Sequence, residues 1–516
     1  MSALTPSDLN LPPKFTEFRE GQLEAALQMA YSNKYAFLYD APTGIGKSLT
    51  AATVQRLLGE KIVYLTMTKQ LQTQILADFP YAKTLMGRSN YNCAEWPSFF
   101  PDITAEECTN SPEKPCEHSG QCSYLYAKKE ALKAPIAVLN TAYFLSEANY
   151  VSQFSDAGLL VIDEFDGIEN SLLSFIEISI SKKQLEKWGI TKIPDFKTKF
   201  ESWKVWASDT VTELSPQLES MWDSIVHSGR PSVQLIRRYK ALIKFISKLE
   251  FFIREVDDSW VWQQGQDEWS FKPIWVSRYA QEYLWRHAKR VVGMSATILS
   301  PKQVCSNLGL ARENYEYMPV PSPFPAENRP IYYRPCANVI KDEMATALPA
   351  LAKEVQTIMG EMPDKKILVH TVSYEIAKYL MSNIQTNRFV SHASGDREKV
   401  LDMFKKSTEP LVLLSPSMDR GVDLPGDENC SAIIVCKMFF PNLGDPQINA
   451  RVYRSPDGNS WYTLRAIATL HQSVGRHIRS LTDKKPTFIL DRQFERLFDR
   501  NRVMFAQWFI DALHMS

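Results

Sequence analysis

Short apolar runs alternate with helical faces along most of this chain. The runs at 36–39, 62–66, 136–139 and 159–162 read as strands, with helix-like stretches between them. An early helix is marked by Leu23, Ala26, Leu27 and Ala30 on one face of 21–31. This alternation predicts an α/β domain with a doubly wound parallel sheet, whose ligands bind at the carboxyl ends of the strands.

The pattern changes twice inside that domain. From 87 to 124 there is no sustained periodicity, and four Cys and four Pro fall there, which suggests a functional insertion rather than a plain loop. From about 170 to 275 the strand signal fades. Leu235, Tyr239, Leu242, Ile246, Leu249 and Ile253 recur at steps of four and three, a helical apolar face, while Arg237, Lys240, Lys244 and Lys248 fall on another face. This predicts a mostly helical insertion with a basic side, either solvated surface or a path for a polyanion. Trp260, Trp262, Trp269 and Trp275 are expected in core or interface.

Strand signals resume at 290–294. A second α/β alternation follows, with strands at 366–371, 389–391, 411–414, 432–436 and 487–490 and one long final helix over 494–513. Pro321, Pro323 and Pro325 punctuate the boundary between the halves. The fold class expected is α/β, with two doubly wound parallel-sheet domains and two insertions in the first.

Composition narrows the picture only a little. A length of 516 residues implies several domains, and 44% hydrophobic with 23% charged residues is ordinary for a soluble chain. The formal net charge is zero, which argues against coating nucleic acid by bulk charge but not against a local basic path. The polar, Pro-containing start has no apolar core of a signal peptide, and no run reaches transmembrane length. No membrane partner is therefore expected. Of eight cysteines, four lie between 93 and 122; with no export signal, that bunching reads as metal or cluster ligation before disulfides.

The chemistry starts at Ala41-Pro42-Thr43-Gly44-Ile45-Gly46-Lys47-Ser48, between a strand and a helix. That is the setting of a phosphate-binding loop, although Gly is commoner where Ala41 stands. Gly44 and Gly46 free the backbone to wrap a phosphate, and the following helix points its positive end at the same anion. Lys47 is expected on the β- and γ-phosphates and Ser48 on Mg²⁺. The strand at 159–162 runs into Asp163-Glu164, where Asp163 is placed to hold Mg²⁺ and Glu164 to activate the attacking water. In the second half, Gln472-x-x-Gly475-Arg476-x-x-Arg479 puts two guanidiniums on one helix face, suited to clamp a γ-phosphate across a cleft.

Taken together, the chain resembles superfamily 2 helicases of the XPD/DinG type, in compact form, as in a phage or mobile element. Phe18, Arg19 and Gln22 resemble the adenine-reading Q motif; 41–48 matches motif I, with Thr43 among its cofactor-binding residues. Residues 65–74 resemble motif Ia, and Asn140-Thr141-Ala142-Tyr143 the Asn-containing strand end. Asp163-Glu164-Phe165-Asp166 matches motif II and Met294-Ser295-Ala296-Thr297 motif III. Residues 420–426, with Asp423, match motif V, and 472–479 match motif VI. The motifs run in family order from end to end. Two positions depart: Asp166 stands where His is frequent, and Arg420 where Glu is common. That His usually links hydrolysis to motif III, so the link is expected to differ here in detail.

The resemblance implies RecA-like helicase domain 1 in three parts (1–87, 125–169 and 276–318), an iron–sulfur insertion (88–124), a helical arch (170–275) and RecA-like domain 2 (319–516). By spacing alone, Cys93, Cys108, Cys116 and Cys122 suit either a [4Fe–4S] cluster or tetrahedral Zn²⁺, although the close Cys pairs typical of zinc are missing; the resemblance favours the cluster. It further implies an ATP- and Mg²⁺-dependent DNA helicase moving 5′→3′ on single-stranded DNA and opening tailed or forked duplexes, with Lys47, Asp163, Glu164, Gln472, Arg476 and Arg479 as the catalytic set. A cytoplasmic monomer is expected, in a bacterial or phage-infected cell. The rivals are a nuclease of the DinG kind and a non-unwinding clamp driven by ATP.

Overall fold

The structure is a computed structural model that describes residues 4–42, 44–94, 103–108, 116–192, 194–228, 231–393, 395–416, 424, 430–475 and 484–515. Its first sheet is built from β1 (Ala36–Asp40), β2 (Ile62–Thr66), β3 (Ala82–Leu85), β4 (Ile136–Asn140) and β5 (Ala157–Asp163). A separate sheet holds β6 (Ile178–Ser181), β7 (Trp260–Gln264) and β8 (Glu268–Pro273); β9 (Ala288–Ser295) and β10 (Tyr315–Pro319) return to the first. The first sheet has the order β10-β1-β9-β5-β2-β4-β3 and is parallel throughout. Its central strands are buried on both faces, so they read as unbroken apolar runs such as Leu159-Leu160-Val161-Ile162.

A second parallel sheet is made of β11 (Ile331–Ala337), β12 (Ile367–His370), β13 (Phe389–Ser391), β14 (Val412–Ser415), β15 (Ala432–Val435), β16 (Thr487–Asp491) and β17 (Leu513–Met515), in the order β13-β14-β12-β15-β16-β11-β17. Every strand expected from the sequence is present. Four further strands of the two large sheets, β3, β10, β11 and β17, have short or polar-interrupted runs and join at or near the edges. The single final helix expected over 494–513 is corrected. Helix Gln493–Asn501 ends in a 3₁₀ turn, a second short helix spans Gln507–Ala512, and the chain then enters β17. The turn lets Phe505 and Phe509 fold back on Phe494, with ring centres 6.2 and 6.1 Å from it, which a straight helix could not do.

The insertion after β5 is indeed mostly helical, with helices Phe200–His227 and Val233–Glu255 packed together. It also contains the small antiparallel sheet β6-β8-β7, which the sequence reading lacked. Ser232 starts the second helix by accepting the backbone N–H of Leu235 at 3.2 Å. Trp203 is the anchor: it lies edge-on to Phe271 at 5.0 Å and Trp206 at 5.7 Å, in an apolar cluster continuous with one face of the first sheet. Burying one such aromatic contributes about 2–3 kcal/mol, so the arch and the sheet beneath it stabilise one another. Trp260 and Trp269 are buried here, as expected of core residues.

Candidate active site

Three neighbouring strands, β1, β9 and β5, deliver the site. Register pairs Asp40 with Ser295 and Asp163 with Met294, so the loops leaving all three strands start level at one edge of the sheet. After β1 the chain turns through Gly44 (φ 85°) and Gly46 (φ 88°), a conformation that side chains resist, and enters helix Lys47–Leu58. Lys47 Nζ donates to the carbonyls of Ala41 (3.1 Å) and Pro42 (3.3 Å), so the ammonium hangs over the loop its phosphate would fill. Asp40 fixes the neighbouring turn: it accepts from the backbone N–H of Ile298 (3.3 Å) and Leu299 (3.1 Å) and from the Tyr317 hydroxyl (2.9 Å).

Asp163 is 7% exposed. Burial pushes its carboxyl above the usual range, and Lys47 pulls it back. The Tyr64 hydroxyl donates to Asp163 Oδ2 at 3.1 Å, and Ser48 is another hydrogen-bond neighbour of that hydroxyl. One buried tyrosine thus gathers the two residues expected on Mg²⁺; burial, followed by the charge of Asp163, keeps it protonated as a donor. Glu164 follows with φ 53°, strained for a glutamate, and its N–H is tied to Asp163 Oδ1 at 3.0 Å. The turn is seated by Phe165 against Gly293 of β9, where a Cβ would come within 2.6 Å of the ring.

The residues expected to read adenine behave differently from one another. Gln22 is 1% exposed, and both ends of its amide serve the loop. Nε2 donates to the carbonyls of Gly46 (3.0 Å) and Ile45 (3.3 Å), and Oε1 accepts from Arg19 N–H at 3.1 Å. Arg19 also donates to the Gly44 carbonyl and lines the cleft, whereas Phe18 packs into the core beside β1. In this arrangement Gln22 braces the phosphate loop from behind.

Asp166 is the hub between the two sheets. It accepts from Ser295 Oγ at 2.6 Å and from the Gln472 amide, which also donates to Thr297 Oγ1 at 2.9 Å. Gln472 ends helix Gly458–Val474, so motifs II, III and VI meet in one hydrogen-bonded cluster across the cleft. Gln472, Thr297, Lys47, Ser48, Asp163 and Glu164 all line a cavity of about 330 Å³. Thr43, Asp423, Arg476 and Arg479 lie outside the described residues. Sequence reasoning missed Tyr64, a strand residue without a motif, and Arg329 and Trp508, which also line this cavity. The only sequence signal for Arg329 was its nearness to the Pro-rich boundary.

Comparisons with known proteins bear on the chain as a whole. Residues 355–511 match the helicase C-terminal domain family. The ATP-dependent DNA helicase YoaA of Haemophilus influenzae is 21% identical over 96% of this chain and 93% of its own. An XPD helicase structure superposes with a TM-score of 0.67 over 97% of this chain and 100% of that one, at 17% identity, which shows a shared fold. These likenesses support a helicase of the XPD/DinG type. A further relative, the 3′-5′ exonuclease DinG of Bacillus subtilis, is 27% identical over 43% of this chain but only 25% of its own length.

The cysteine-bearing segment is tied to the arch. Cys93 N–H donates to the Ile103 carbonyl at 3.1 Å, beside an antiparallel bridge of Asn92 with Thr104, while Cys116 and Cys122 flank a 3₁₀ turn leading into helix Ser123–Lys133. Four cysteine sulfurs are a donor set that suits thiolate ligation; among the described residues no three Cys, His, Asp or Glu side chains converge as a metal-holding group. The basic face of helix Val233–Glu255 is only partly open surface. Arg237 Nε pairs with Glu107 at 2.8 Å, Lys240 donates to the carbonyls of Glu106 and Cys108, and Lys248 donates to the Ser179 carbonyl at 2.6 Å. Lys244 is exposed and the Arg237 side chain stays half-exposed despite its pairing, so part of this face is a docking seam and part faces solvent.

Proposed function

We propose that this protein is an ATP-dependent DNA helicase that moves 5′→3′ along single-stranded DNA and opens duplexes with a free tail. The observation that supports it most is the meeting of Lys47, Ser48, Asp163, Glu164, Thr297 and Gln472 in one cleft between two parallel sheets. Lys47 leaves the carbonyls of Ala41 and Pro42 for the β- and γ-phosphates, and Ser48 and Asp163, gathered by Tyr64, hold Mg²⁺. Glu164 takes the proton of the attacking water, and Arg476 and Arg479 steady the charge on the departing phosphoryl group. Asp423 and Thr43 complete the nucleotide contacts, with Phe18, Arg19 and Gln22 shaping the loop beneath. Because Gln472 touches both Asp166 and Thr297, nucleotide release loosens the second sheet from the first, which is what a step along DNA needs.

Cys93, Cys108, Cys116 and Cys122 are proposed to ligate a [4Fe–4S] cluster, which would supply rigidity to a segment too small to hold a core of its own. Anaerobically purified protein would then carry about four irons per chain; stoichiometric zinc would refute the cluster. The decisive assay for the function is unwinding of duplexes bearing a 5′ or a 3′ single-stranded tail, alongside DNA-stimulated ATP turnover. Opening only of 5′-tailed substrates is expected. ATP turnover without unwinding would favour a clamp. Since one relative is named an exonuclease, shortening of end-labelled strands in the same assay would favour a nuclease.

A further inference from the structure

The linker between the sheets contributes to the cleft at a place outside every motif. Between β10 and β11 it carries Arg329 into the cavity wall, beside Trp508 from the short helix near the C-terminus. The Arg329 guanidinium lies over the Trp508 ring, 5.1 Å from its centre. Trp508 in turn stands edge-on to His471 at 5.3 Å and reaches Gly475, where an added Cβ would sit 3.6 Å from the ring. The platform therefore abuts the end of helix Gly458–Val474, from which the stretch carrying Arg476 and Arg479 continues.

Arg329 is short of partners. Its Nε–H is shielded from solvent and has no hydrogen-bond acceptor among the described residues, and no described carboxylate lies within ion-pair distance of the guanidinium. Burial holds its pKa below the usual arginine value, opposed only by the more distant Asp511. A half-desolvated guanidinium without a counter-ion is costly, and the arrangement is stabilised once an anion arrives. Stacking on a neutral base would leave both the charge and the Nε–H unanswered, whereas a phosphate oxygen answers both. The same cavity holds Lys47 and the phosphate loop.

We propose that Arg329, held flat by Trp508, is an additional phosphate-contacting residue that binds the phosphate chain of the nucleoside triphosphate from the second sheet's side of the cleft. This rests on the nucleotide-site reading above. It makes the linker itself sensitive to the nucleotide, because the residue that meets the phosphates is attached directly to β11.

The test is competition of ATP and of adenosine against a fluorescent ATP analogue, on the full chain without DNA. Wild type, Arg329→Ala, Arg329→Lys and Lys47→Ala are compared, with melting curves to confirm folding. Arg329→Ala is expected to weaken ATP about tenfold or more, the usual loss for one charge-assisted contact. Adenosine binding should stay unchanged, and Arg329→Lys should recover part of the ATP affinity. Equal losses for ATP and adenosine would overturn the phosphate role, as would ATP affinity within about twofold of wild type. If Lys47→Ala also left ATP binding intact, the nucleotide-site reading itself would fall. An effect of Lys47→Ala without one of Arg329→Ala would sink only the present proposal.

Discussion

The cluster around Asp166 makes a sharp prediction about how the two sheets communicate. In Asp166→Ala, Ser295 Oγ loses its 2.6 Å acceptor, and the Gln472 amide keeps only Thr297. Hydrogen bonds to a charged group contribute roughly 1.5–3 kcal/mol each, and both partners here are buried, so the gross loss approaches ~5 kcal/mol. Water entering the vacated space offsets part of that, leaving a coupling between Asp166 and Gln472 on the order of 2 kcal/mol, about thirtyfold. The expected phenotype is specific: ATP binding close to wild type, since Lys47 and the loop are untouched, but stimulation of turnover by single-stranded DNA lost. Asp166→Asn should be milder. Its carbonyl still accepts from Ser295, and a flip of Gln472 would present Oε1, which has no partner among the described residues, to the new amide. Asp166→His, the residue frequent at this place in the family, should also recover part of the stimulation. The measurement is a double-mutant cycle, Asp166→Ala with Gln472→Ala, read as DNA-stimulated turnover. Strict additivity of the two substitutions would refute the idea that this pair carries the coupling.

Three further outcomes are expected. Lys47→Ala and Glu164→Gln should both abolish turnover, the first by weakening ATP binding and the second while ATP stays bound; normal turnover in Glu164→Gln would remove motif II from the chemistry. Arg237→Ala with Lys240→Ala should undock the arch from the cysteine-bearing segment, detected as new proteolytic cleavage between 103 and 124 with ATP binding intact; an unchanged digest would show that the seam holds without them. Burial pushes His287, His370 and His471 down to about 4, against about 6.5 when unfolded, so below pH 6.5 the unfolded chain binds more protons and stability falls as pH drops toward 4, by up to ~3 kcal/mol per histidine. A melting temperature that is flat or rising over that interval would contradict their burial as neutral rings.

How far the sequence disclosed this arrangement differs from element to element. Leu159–Asp163 and Ala36–Lys47 were legible because a strand covered on both faces must be apolar throughout, and a phosphate loop needs its glycines at fixed places. Strand β11, Ile331–Ala337, was not legible: its Tyr332, Arg334 and Pro335 break the apolar run, and it is placed by its neighbours β16 and β17. The basic stripe of helix Val233–Glu255 was legible as a stripe but not as a seam, since Lys240 and Lys248 find backbone carbonyls of Glu106, Cys108 and Ser179, which have no sequence signature, and Arg237 finds Glu107, 130 residues away in the chain. Gln22 was found by its spacing from Phe18 and Arg19, yet its use as a brace depends on where Gly46 lies in space. Tyr64, Arg329 and Trp508 escaped for the same reason: each matters through contacts between segments far apart in the chain.

The two sheets are joined by a second contact of opposite character to the one at Asp166. Arg451, on helix Pro446–Arg454 of the second half, is 2% exposed. It lies between Trp275 and Trp461, with ring centres 4.7 and 4.6 Å away, and pairs with Glu169 on the helix that follows motif II. Around it, Gln447 donates to the Pro273 carbonyl at 2.7 Å and Trp275 Nε1 to Ser455 Oγ at 2.8 Å. Breaking a buried pair of this kind costs roughly 3–5 kcal/mol, because each charge is left without a partner away from water. The Asp166 cluster lies on the wall of an open cleft, where water and nucleotide can replace its hydrogen bonds; the Arg451 contact has no such substitute. Any opening of the cleft that is reversible at ambient temperature must therefore separate the sheets at Asp166 while they remain joined at Arg451. The expected pivot is then the Arg451 contact, with the arch staying on the first sheet whose apolar cluster it shares.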